Sequence, residues 1–489
     1  MGEVGAQFWR EHSRNPSLQD MMLDSNAQLL SQEERPEILE LLPLLDGQDV
    51  LELGAGIGRY TSVLAEPARH VTAVDFMESF VEQNRRENGH RDNVAFLQGD
   101  VTCLQLPGQS FHLIFSNWLF MYLADEELRA LARRMLSWLR PGGHLFFRES
   151  CFHQSGDSPR SFNPTLYRTP AQYNQLLTGA QETLEEKNWG FEIVFSRSVQ
   201  TYVKRKGNRN QVCWLLQKGQ RIQTGPRGCT TFQQFLDSGQ YTERSIRRYE
   251  WLFGTGFVST GGLATTKVPG QGDSGDRRSM DVGGWGMGHG CWHMRGRRGF
   301  GVKVLGMDLS HNMVELALER AQQEDNDLVE FEVGDVTRRS FPAGSFQVLY
   351  SRDTLLHIAD KGALFRKFLA WLKPGGQLLI SDYCCGPRPW SEAFTVYVRQ
   401  RGYTLLTPQE YGQALQEAGF TQVQAWDRTK RMALALSEEL QELERNRQDF
   451  IQAFSEVEFD SMACGWREKQ ARCLDGDQRW GVLYAKKPQ

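Results

Sequence analysis

Glycines at alternate positions in the first half of the chain are the first feature whose spacing indicates chemistry. The apolar run 50–53 leads into Gly54, Gly56 and Gly58, and a helix-length segment follows. Glycine is favoured where the backbone turns tightly and approaches a ligand, and the start of the following helix offers unpaired N–H groups. The pattern predicts a cofactor-binding loop. A Gly-rich turn alone is weak support, and a dinucleotide-binding loop would space its glycines as G-x-G-x-x-G.

Two acidic residues close the next two apolar runs and sharpen this prediction. Asp75 ends the first run, where its carboxylate can accept hydrogen bonds from two ribose hydroxyls. Asp100 ends the second, where it can meet an adenine amino group. The alternative, that both are solvated turn residues at strand ends, is the weaker interpretation because the whole set recurs later in the chain.

A third pair could act on a proton. Asp353 and His357 are four residues apart in SRDTLLHI. If this segment is helical they share a face, and the carboxylate could orient the imidazole and raise its basicity. An isolated pair of this kind would more simply be a hydrogen bond on a helix surface. The corresponding positions of the first half hold Trp118 and Tyr122, so that half lacks the histidine.

These residues belong to a segment that occurs twice. VLELGAGIG, VTAVDF, FLQGDVT, SFHLIFSNWLFMYL and WLRPGGHLFFRES in the first half correspond to DVGG, VKVLGMDLS, FEVGDVT, SFQVLYSRDTLLHI and WLKPGGQLLISDY in the second. The two copies are offset by 233 to 235 residues, as shown by the pairs Asp75 and Asp308, Asp100 and Asp335, and Pro141 and Pro374. A repeat of this length is the size of a domain, and we interpret it as a tandem duplication.

The elements that must position these residues are those of an α/β fold. Short Val/Ile/Leu-rich runs alternate with amphipathic stretches such as EELRALARRMLSWL and HNMVELALERAQQ, a pattern typical of β-α-β units around a parallel sheet. We predict two domains, residues 1–230 and 231–489, each a mostly parallel doubly wound sheet. The polar stretch 204–227, rich in Lys, Arg, Gln and Gly, is expected to connect them.

Composition excludes several classes of function. The 489 residues carry 56 Lys and Arg against 60 Asp and Glu, a net charge of −4, so the basic excess of a nucleic-acid-binding protein is missing. No apolar run is long enough to cross a membrane, and no secretory signal is recognisable. The nine cysteines contain no C-x-x-C pair, which predicts reduced thiols and no zinc site. We therefore expect a cytoplasmic protein without metal, nucleic acid or membrane partners. We also expect a monomer, although the sequence itself does not reveal the oligomeric state.

The alternating glycines, the two acids and the late PGG turn resemble the class I S-adenosylmethionine-dependent methyltransferases, whose fold is Rossmann-like. A closer resemblance lies in FSNWLFMYL, FFRESCFHQSGDS, NPTLYRTPAQY, RYEWLFGTGFVSTGGLATTK, YSRDTLLHI, ISDYCCGPRPW, QRGYTLLTPQEYG and GWREK. These are similar to the two-domain phosphoethanolamine N-methyltransferases over nearly the whole chain. The resemblance implies stepwise methylation of phosphoethanolamine to phosphocholine, with S-adenosylmethionine as cofactor, for phosphatidylcholine synthesis. Small phosphobases would be the only partners.

The resemblance also implies roles for individual residues. Asp353 and His357 would form the catalytic pair of the second domain, and Tyr122 would occupy the position of His357 in the first. Cofactor contacts would come from Gly54, Gly56, Gly58, Arg59, Asp75, Asp100, Val101 and Asn117, and from Val258, Ser259, Gly283, Asp308, Asp335, Val336 and Arg352. Substrate contacts would come from Ser150, Ser155, Gly156, Arg160 and Tyr167, and from Gln240, Tyr241, Tyr249, Tyr383, Tyr397, Arg401, Tyr403 and Lys469. Because the catalytic positions differ, the first domain is expected to methylate phosphoethanolamine and the second the partly methylated bases.

One segment does not follow the repeat. Residues 268–301 contain 11 glycines in 34 positions and lack both the apolar strand before DVG and the amphipathic helix after it, while both flanks match. We interpret the segment as an alternative reading frame or a gene-model error. If it is authentic, Gly283, Gly284 and Gly286 cannot be assumed to hold a cofactor. In that case the alternative is that only the first domain is catalytic, and that the second domain is a non-catalytic module that binds phosphobases or regulates the enzyme.

Overall fold

The computed structural model describes residues 7–10, 17–157, 162–221, 231–254, 256–262, 284–287, 303–323 and 329–489. It separates into two compact units, Met1–Thr231 and Phe232–Gln489. The first unit contains α1 (Leu18–Met22), α2 (Ala27–Leu41), β1 (Asp49–Leu53), α3 (Thr61–Leu64), β2 (His70–Asp75), α4 (Glu78–Asn88), β3 (Val94–Gln98), β4 (Phe111–Asn117), α5 (Asp125–Trp138), β5 (Leu139–Ser150), α6 (Pro170–Thr178), β6 (Gln181–Leu184), β7 (Lys187–Ser198), α7 (Gln200–Lys206) and β8 (Gln211–Gln220). A 3-10 turn, Phe120–Tyr122, follows β4.

The sheet of the first unit has the strand order β7-β8-β5-β4-β1-β2-β3. The five strands from β5 to β3 are parallel, and β8 and β7 add an antiparallel edge, with β6 paired to β7. Val50 and Phe115 pack in one apolar cluster with Ile38 of α2, while Leu51 and Ile114, which alternate with them, are also fully buried. Burial of both faces is typical of a parallel sheet covered by helices. Because the strands are parallel, the carboxyl ends of β1, β2 and β4 lie along one edge of the sheet.

The second unit repeats this architecture. It contains α8 (Phe232–Phe235), a π-helical turn (Leu236–Gln240), α9 (Glu243–Phe253), β9 (Gly284–Met287), β10 (Val304–Asp308), α10 (His311–Gln323), β11 (Val329–Gly334), β12 (Phe346–Arg352), a 3-10 turn (Leu355–His357), α11 (Lys361–Trp371), β13 (Leu372–Cys385), α12 (Glu392–Arg401), α13 (Pro408–Glu417), β14 (Thr421–Asp427), α14 (Thr429–Arg445), α15 (Arg447–Ala453), α16 (Glu456–Leu474) and β15 (Gln478–Lys486). Its strand order is β14-β15-β13-β12-β9-β10-β11, and β15 runs antiparallel to both of its neighbours, β13 and β14.

The strand β9 lies inside the segment that departs from the sequence repeat. It pairs in parallel with β10 on one side and β12 on the other, so it occupies the place that β1 occupies in the first unit. The sequence lacks the apolar strand that the repeat would place before DVG. In the structure the central strand lies after DVG instead, and its four residues, GWGM, include two glycines. The remaining residues of the segment 268–301 lie outside the described part of the chain.

The polar stretch 204–227 was predicted to connect the domains, and this was wrong for most of its length. Residues 200–206 form α7, whose last residues make ion pairs: Arg205 with Glu33, and Lys206 with Asp24. Residues 211–220 form β8, which lies inside the sheet between β5 and β7. Its buried side chains include Cys213 and Trp214. The polar composition thus concealed an interior strand.

Within the described ranges, no helix combines the length and apolar character needed to cross a bilayer. The same residues contain no group of three or more His, Cys, Asp or Glu side chains arranged to hold a metal ion. The seven cysteines of this part of the chain are free thiols.

Candidate active sites

The alternating glycines of the first unit form a tight turn after β1. Gly54, Gly56 and Gly58 have φ values of +71°, +56° and +88°, which only glycine adopts without strain. A Cβ atom on Gly58 would lie 2.2 Å from Asn84 Oδ1, so this position also requires glycine for space. The N–H of Gly54 donates to Val74 O at 2.9 Å, which ties the turn to the end of β2.

Asp75 lies at the end of β2 and fixes this turn. Its carboxylate accepts hydrogen bonds from the backbone N–H of Gly56 at 2.8 Å and of Met77 at 2.9 Å. Burial raises the pKa of Asp75 to about 6, although these N–H groups oppose the shift. Asp100, at the end of β3, accepts from the N–H and hydroxyl of Thr102 at 2.8 and 2.7 Å. Partial burial opposes the effect, but the hydrogen bonds hold the pKa of Asp100 below its usual value.

Gly54, Asp75 and Asp100 line one cavity of the first unit, whereas Gly56 and Gly58 are not among its lining residues. The predicted residues that line it are Gly54, Arg59, Asp75, Asp100, Val101, Asn117, Tyr122, Ser150, Ser155 and Gly156. Ser155 Oγ is buried without a hydrogen-bond partner, so it is available to a ligand. Tyr167 is not among the lining residues, and its hydroxyl accepts a hydrogen bond from Asn163 Nδ2 at 2.9 Å. Arg160 lies outside the described residues.

A buried charge cluster beside this cavity was not predicted from the sequence. The Glu34 carboxylate pairs with the guanidinium groups of Arg59 and Arg148, and the Glu34 and Arg148 side chains are fully buried. Burial opposes ionisation, but the two arginines hold the pKa of Glu34 below its usual value. One nitrogen of Arg59, Nη2, remains buried without a partner and can reach a ligand in the cavity. The cluster thus fixes a predicted cofactor-binding cation in place.

The turn after β4 is held by a second acid that sequence reasoning missed. Glu149, fully buried at the end of β5, accepts from the backbone N–H groups of Leu119, Phe120 and Met121 at 3.2, 2.8 and 3.2 Å. Burial raises the pKa of Glu149 to about 7. Three adjacent N–H groups converging on one carboxylate give the turn a fixed geometry, and this turn carries Trp118 and Tyr122.

The second unit reproduces the acids of the first. Asp308, at the end of β10, accepts from Ser310 N at 2.8 Å, as Asp75 does from Met77. Asp335 accepts from the N–H and hydroxyl of Thr337 at 2.8 and 2.6 Å, as Asp100 does from Thr102. Burial raises the pKa of Asp308 to about 7. The equal offsets seen in the sequence therefore correspond to equal hydrogen-bonding geometry.

A cavity lies beside these acids. The predicted residues that line it are Tyr241, Val258, Ser259, Asp308, Asp335, Val336, Arg352, Asp353 and His357. Arg352 donates to the carbonyl oxygens of Thr260 and Gly262 at 3.0 and 3.1 Å, which ties the segment that carries Ser259 to the end of β12. Gly283 lies outside the described residues, so the glycine loop of this unit remains a prediction.

Asp353 and His357 do not share a helix, so the condition under which the carboxylate could orient the imidazole is not met. Asp353 follows β12 with φ +49°, in the left-handed region, and His357 ends a 3-10 turn. Asp353 Oδ1 accepts from Trp480 Nε1 at 2.9 Å, and Oδ2 lies 3.8 Å from Arg352 Nε. His357 Nδ1 is buried without a hydrogen-bond partner. The carboxylate therefore does not orient the imidazole, although both side chains face the same cavity.

Aromatic rings surround His357 instead. Its ring centroid lies 5.0 Å from that of Phe232 and 5.1 Å from that of Tyr403. Burial, together with the charges of Lys361 and Arg401, lowers the pKa of His357 to about 4. The imidazole is therefore neutral at pH 7, and its Nδ1 is free of hydrogen bonds, but the lowered pKa makes the ring a weaker base than an exposed histidine.

The predicted substrate residues of the second unit converge on one cation. Burial disfavours the Arg401 charge, but the negative charge that four neighbouring phenols carry when ionised raises the pKa of this guanidinium: Tyr403, Tyr397, Tyr249 and Tyr383. A second cation adjoins them, because Lys469 Nζ is hydrogen-bonded to Tyr383 Oη and donates to Thr260 Oγ1 at 3.0 Å. Gln240 Nε2 donates to Tyr241 Oη at 3.3 Å. Two cations ringed by phenols suit an anionic group such as a phosphate.

A buried lysine and carboxylate support the turn that carries His357, and neither was predicted. Lys361 Nζ donates to the carbonyl oxygens of Ile358 and Thr404 at 2.9 and 2.7 Å. Asp382, fully buried at the end of β13, accepts from Tyr411 Oη at 2.7 Å, and burial raises its pKa to about 7. Asp382 corresponds to Glu149 in the repeat. Each acid lies next to the turn that follows the fourth strand of its unit, β4 in the first and β12 in the second.

The geometry of both units fits the adenosine part of a nucleoside cofactor. Each offers a strand-end carboxylate for ribose hydroxyls and a second one for the adenine amino group, and the first unit adds a tight turn with three glycines at positive φ. The unpartnered Arg59 Nη2 suits a carboxylate on the same cofactor.

The chain was compared with protein families and solved structures. A family model described as a methyltransferase domain matches residues 50–143, and another of the same description matches 280–380, beginning within the segment that breaks the repeat. Phosphoethanolamine N-methyltransferase 1 of Arabidopsis thaliana is 48% identical, over 99% of this chain and 98% of its own length. The chain belongs to the phosphoethanolamine N-methyltransferase family. The wheat enzyme, phosphoethanolamine N-methyltransferase of Triticum aestivum, is 47% identical over 99% of this chain and 95% of its own.

A solved structure shows the same fold. Phosphoethanolamine N-methyltransferase 2 of Haemonchus contortus, solved with S-adenosyl-L-methionine, is 25% identical, covers 94% of this chain and 99% of its own, and has a TM-score of 0.71. The prediction of two tandem Rossmann-like class I methyltransferase domains is confirmed. Membership in this family also makes S-adenosylmethionine the cofactor of this chain.

Proposed function

We propose that this chain is an enzyme that transfers methyl groups from S-adenosylmethionine to the nitrogen of phosphoethanolamine. The reaction passes through the mono- and dimethyl species and ends at phosphocholine, the precursor for phosphatidylcholine synthesis. The observation that carries this proposal is the 47–48% identity to phosphoethanolamine N-methyltransferases over essentially the whole chain, both units included. The alternative of a non-catalytic second unit is not favoured, because the match extends over that unit as well.

The chemistry requires alignment and the removal of a proton. Bound S-adenosylmethionine supplies an electrophilic methyl group on a sulfonium, and the amine nitrogen must lie in line with the carbon–sulfur bond. A primary ammonium resembles a lysine side chain, with a pKa near ~10.4, so a base within reach is needed at pH 7. In the second unit the neutral His357 faces the cavity and takes this role. The nearby Asp353 carboxylate attracts the ammonium charge, since both side chains line the same wall.

The phosphate end of the substrate requires cations at a distance from the reacting nitrogen. Arg401 and Lys469 supply them in the second unit, and the tyrosine hydroxyls around them add neutral donors. In the first unit the unpartnered Ser155 hydroxyl and the predicted Arg160 serve the same end. Holding the phosphate in this way fixes where the nitrogen lies relative to the cofactor.

We further propose that the two units divide the methylation steps. The first unit has Trp118 and Tyr122 where the second has Asp353 and His357, so their means of binding and deprotonating an amine differ. The first unit methylates phosphoethanolamine, and the second methylates the mono- and dimethyl bases.

Two full-length variants test this division. Asp75→Ala silences the cofactor site of the first unit, and Asp308→Ala silences that of the second. With phosphoethanolamine, Asp308→Ala accumulates the monomethyl product, whereas Asp75→Ala is inactive on phosphoethanolamine but converts the monomethyl base to phosphocholine. Asp46→Ala, at an exposed acid, is the control and retains both activities. Equal turnover of all three bases by both silenced variants would contradict the division.

We also propose that the enzyme works as a monomer in the cytoplasm. Its described cysteines are unpaired, and adjacent Cys384 and Cys385 are both buried, which agrees with a reducing compartment. Sedimentation of the purified chain tests the first point, with a single species of about twice the expected mass as the contrary result.

A further inference from the structure

Two buried residues that carry no predicted role lie directly opposite predicted substrate residues. The antiparallel pairing of β5 with β8 places Gln211 beside Ser150, and that of β13 with β15 places Trp480 beside Tyr383. Ser150 and Tyr383 are equivalent in the repeat, 233 positions apart. Gln211 and Trp480 are therefore equivalent too. They are only 1% and 4% exposed, so they act inside each unit rather than on its surface.

Each of these residues is hydrogen-bonded to the residue that begins the catalytic turn of its unit. In the first unit Trp118 Nε1 donates to Gln211 Oε1 at 2.7 Å. In the second unit Trp480 Nε1 donates to Asp353 Oδ1 at 2.9 Å. In both units an indole N–H donates to a side-chain oxygen. The tryptophan follows β4 in the first unit, whereas in the second unit it lies on β15.

The equivalence of Trp118 and Asp353 is structural as well as sequential. Both follow the fourth parallel strand in the left-handed region, with φ values of +57° and +49°. The N–H of each donates to the neighbouring strand, Trp118 to Arg148 O at 2.8 Å and Asp353 to Ser381 O at 2.7 Å. The two side chains therefore leave equivalent backbone positions.

We propose that the pairs Trp118–Gln211 and Asp353–Trp480 determine substrate specificity at the same place in the two units, with hydrogen-bond donor and acceptor exchanged. The exchange sets how many methyl groups the substrate amine can carry in each unit. This inference rests on the proposed function. It adds Gln211 and Trp480 to the residues that control the reaction.

The physical basis in the first unit is space. The Trp118 indole lines the cavity and is held from two sides, by Gln211 at its edge and by the Arg148 guanidinium 3.8 Å from the ring centroid. Gln211 also donates to Ser150 Oγ at 2.6 Å, which fixes the amide that orients the ring. A ring held in this way cannot withdraw to make room, so it favours the smallest amine.

The second unit places a small carboxylate at the same position. Each methyl group added to the amine increases its volume and removes one N–H donor, while the positive charge remains available. The Asp353 carboxylate leaves room for methyl groups and attracts the charge without needing an N–H from the substrate. Trp480 holds it toward the cavity, and Asp353 is only 7% exposed, so few other donors compete.

An exchange of the pair in the full-length chain tests the proposal. In the Asp308→Ala background, where only the first unit acts, Trp118→Asp combined with Gln211→Trp is assayed with phosphoethanolamine and its monomethyl derivative. The ratio of kcat/KM for the monomethyl base to that for phosphoethanolamine is expected to rise about 10- to 100-fold, the range that one methyl group decides in a fitted pocket. Trp214→Phe, which breaks another buried indole hydrogen bond, to Asn174, is the matched control and leaves the ratio unchanged.

A milder variant keeps the test decisive if the double exchange fails to fold. In the Asp75→Ala background, Trp480→Phe retains the ring and removes only the N–H donated to Asp353. The kcat/KM for the dimethyl base is expected to fall about tenfold relative to the Asp75→Ala parent, mainly through KM, with cofactor binding unchanged. A substrate ratio within twofold of the parent in the first background, together with a kcat/KM for the dimethyl base within twofold of the parent in the second, would overturn the proposal. If the parent backgrounds themselves methylate no phosphobase, the proposed function fails instead.

Discussion

The buried charge cluster of the first unit makes a strong prediction about stability. Among the described residues, Glu34 is the carboxylate that pairs with both Arg59 and Arg148, so Glu34→Gln removes the negative charge between two buried guanidinium groups. Breaking a buried ion pair by removing one partner costs about 3–5 kcal/mol. For a domain of this size 1 kcal/mol corresponds to about 2–4 °C, so the melting temperature of the first unit should fall by roughly 6–20 °C.

The neighbouring residue provides the control. Glu33 pairs with Arg205 at the surface, where both side chains are substantially exposed, and such pairs contribute about 0–1 kcal/mol. Glu33→Gln should therefore melt close to the wild type in the same calorimetric scan. Because the arginines lower the pKa of folded Glu34, its contribution is present above about pH 4.5 and is lost as the pH falls through the folded-state pKa. Equal melting temperatures for the two variants at pH 7 would refute the reasoning.

Three further predictions concern the two sites. Gly58→Ala places a Cβ 2.2 Å from Asn84 Oδ1 at φ +88°, so cofactor binding by the first unit, measured by calorimetric titration, should be lost while the second unit still binds. Because burial raises the pKa of Asp75 to about 6 and ribose hydroxyls need its ionised form, the affinity of the first unit should fall about tenfold per pH unit below 6, and Asp75→Asn should remove this dependence. His357→Ala should lower kcat for the monomethyl base 100-fold or more. Since the pKa of His357 lies at about 4, the wild-type rate of that step should show no protonation of this ring between pH 6 and 8; an inflection there that His357→Ala abolishes would contradict the assignment.

Much of the fold could be predicted because the sequence contains the same domain twice. The strand-end acids Asp75 and Asp308 kept both their spacing and their hydrogen bonds, and the amphipathic stretch beginning at His311 forms the helix that its periodicity predicts. The stretch around Cys213 was misread as a linker. Its strand lies at the junction between the parallel and antiparallel parts of the sheet, and only pairing with distant β5 reveals it.

The supporting residues of the sites could not be predicted, because their partners are distant in sequence. Glu149 binds three N–H groups about 30 residues earlier, and Glu34 meets Arg148 across 114 residues. The four-residue spacing of Asp353 and His357 suggested a helix, but the left-handed conformation of Asp353 breaks it. Local spacing predicts local geometry only where the backbone is regular. Gln211 and Trp480 are 269 residues apart, outside the 233–235 offset of the repeat, so only the strand pairing with β5 and β13 identifies them.

The most direct test of the central claim is a time course of the wild-type chain with phosphoethanolamine and S-adenosylmethionine that carries a labelled methyl group, resolved by mass spectrometry. The account predicts that monomethyl and dimethyl species appear and disappear in order, and that phosphocholine carrying three labelled methyl groups accumulates. No transfer of label to the phosphobase, or transfer that stops at the monomethyl product, would contradict an enzyme with two active methyltransferase units.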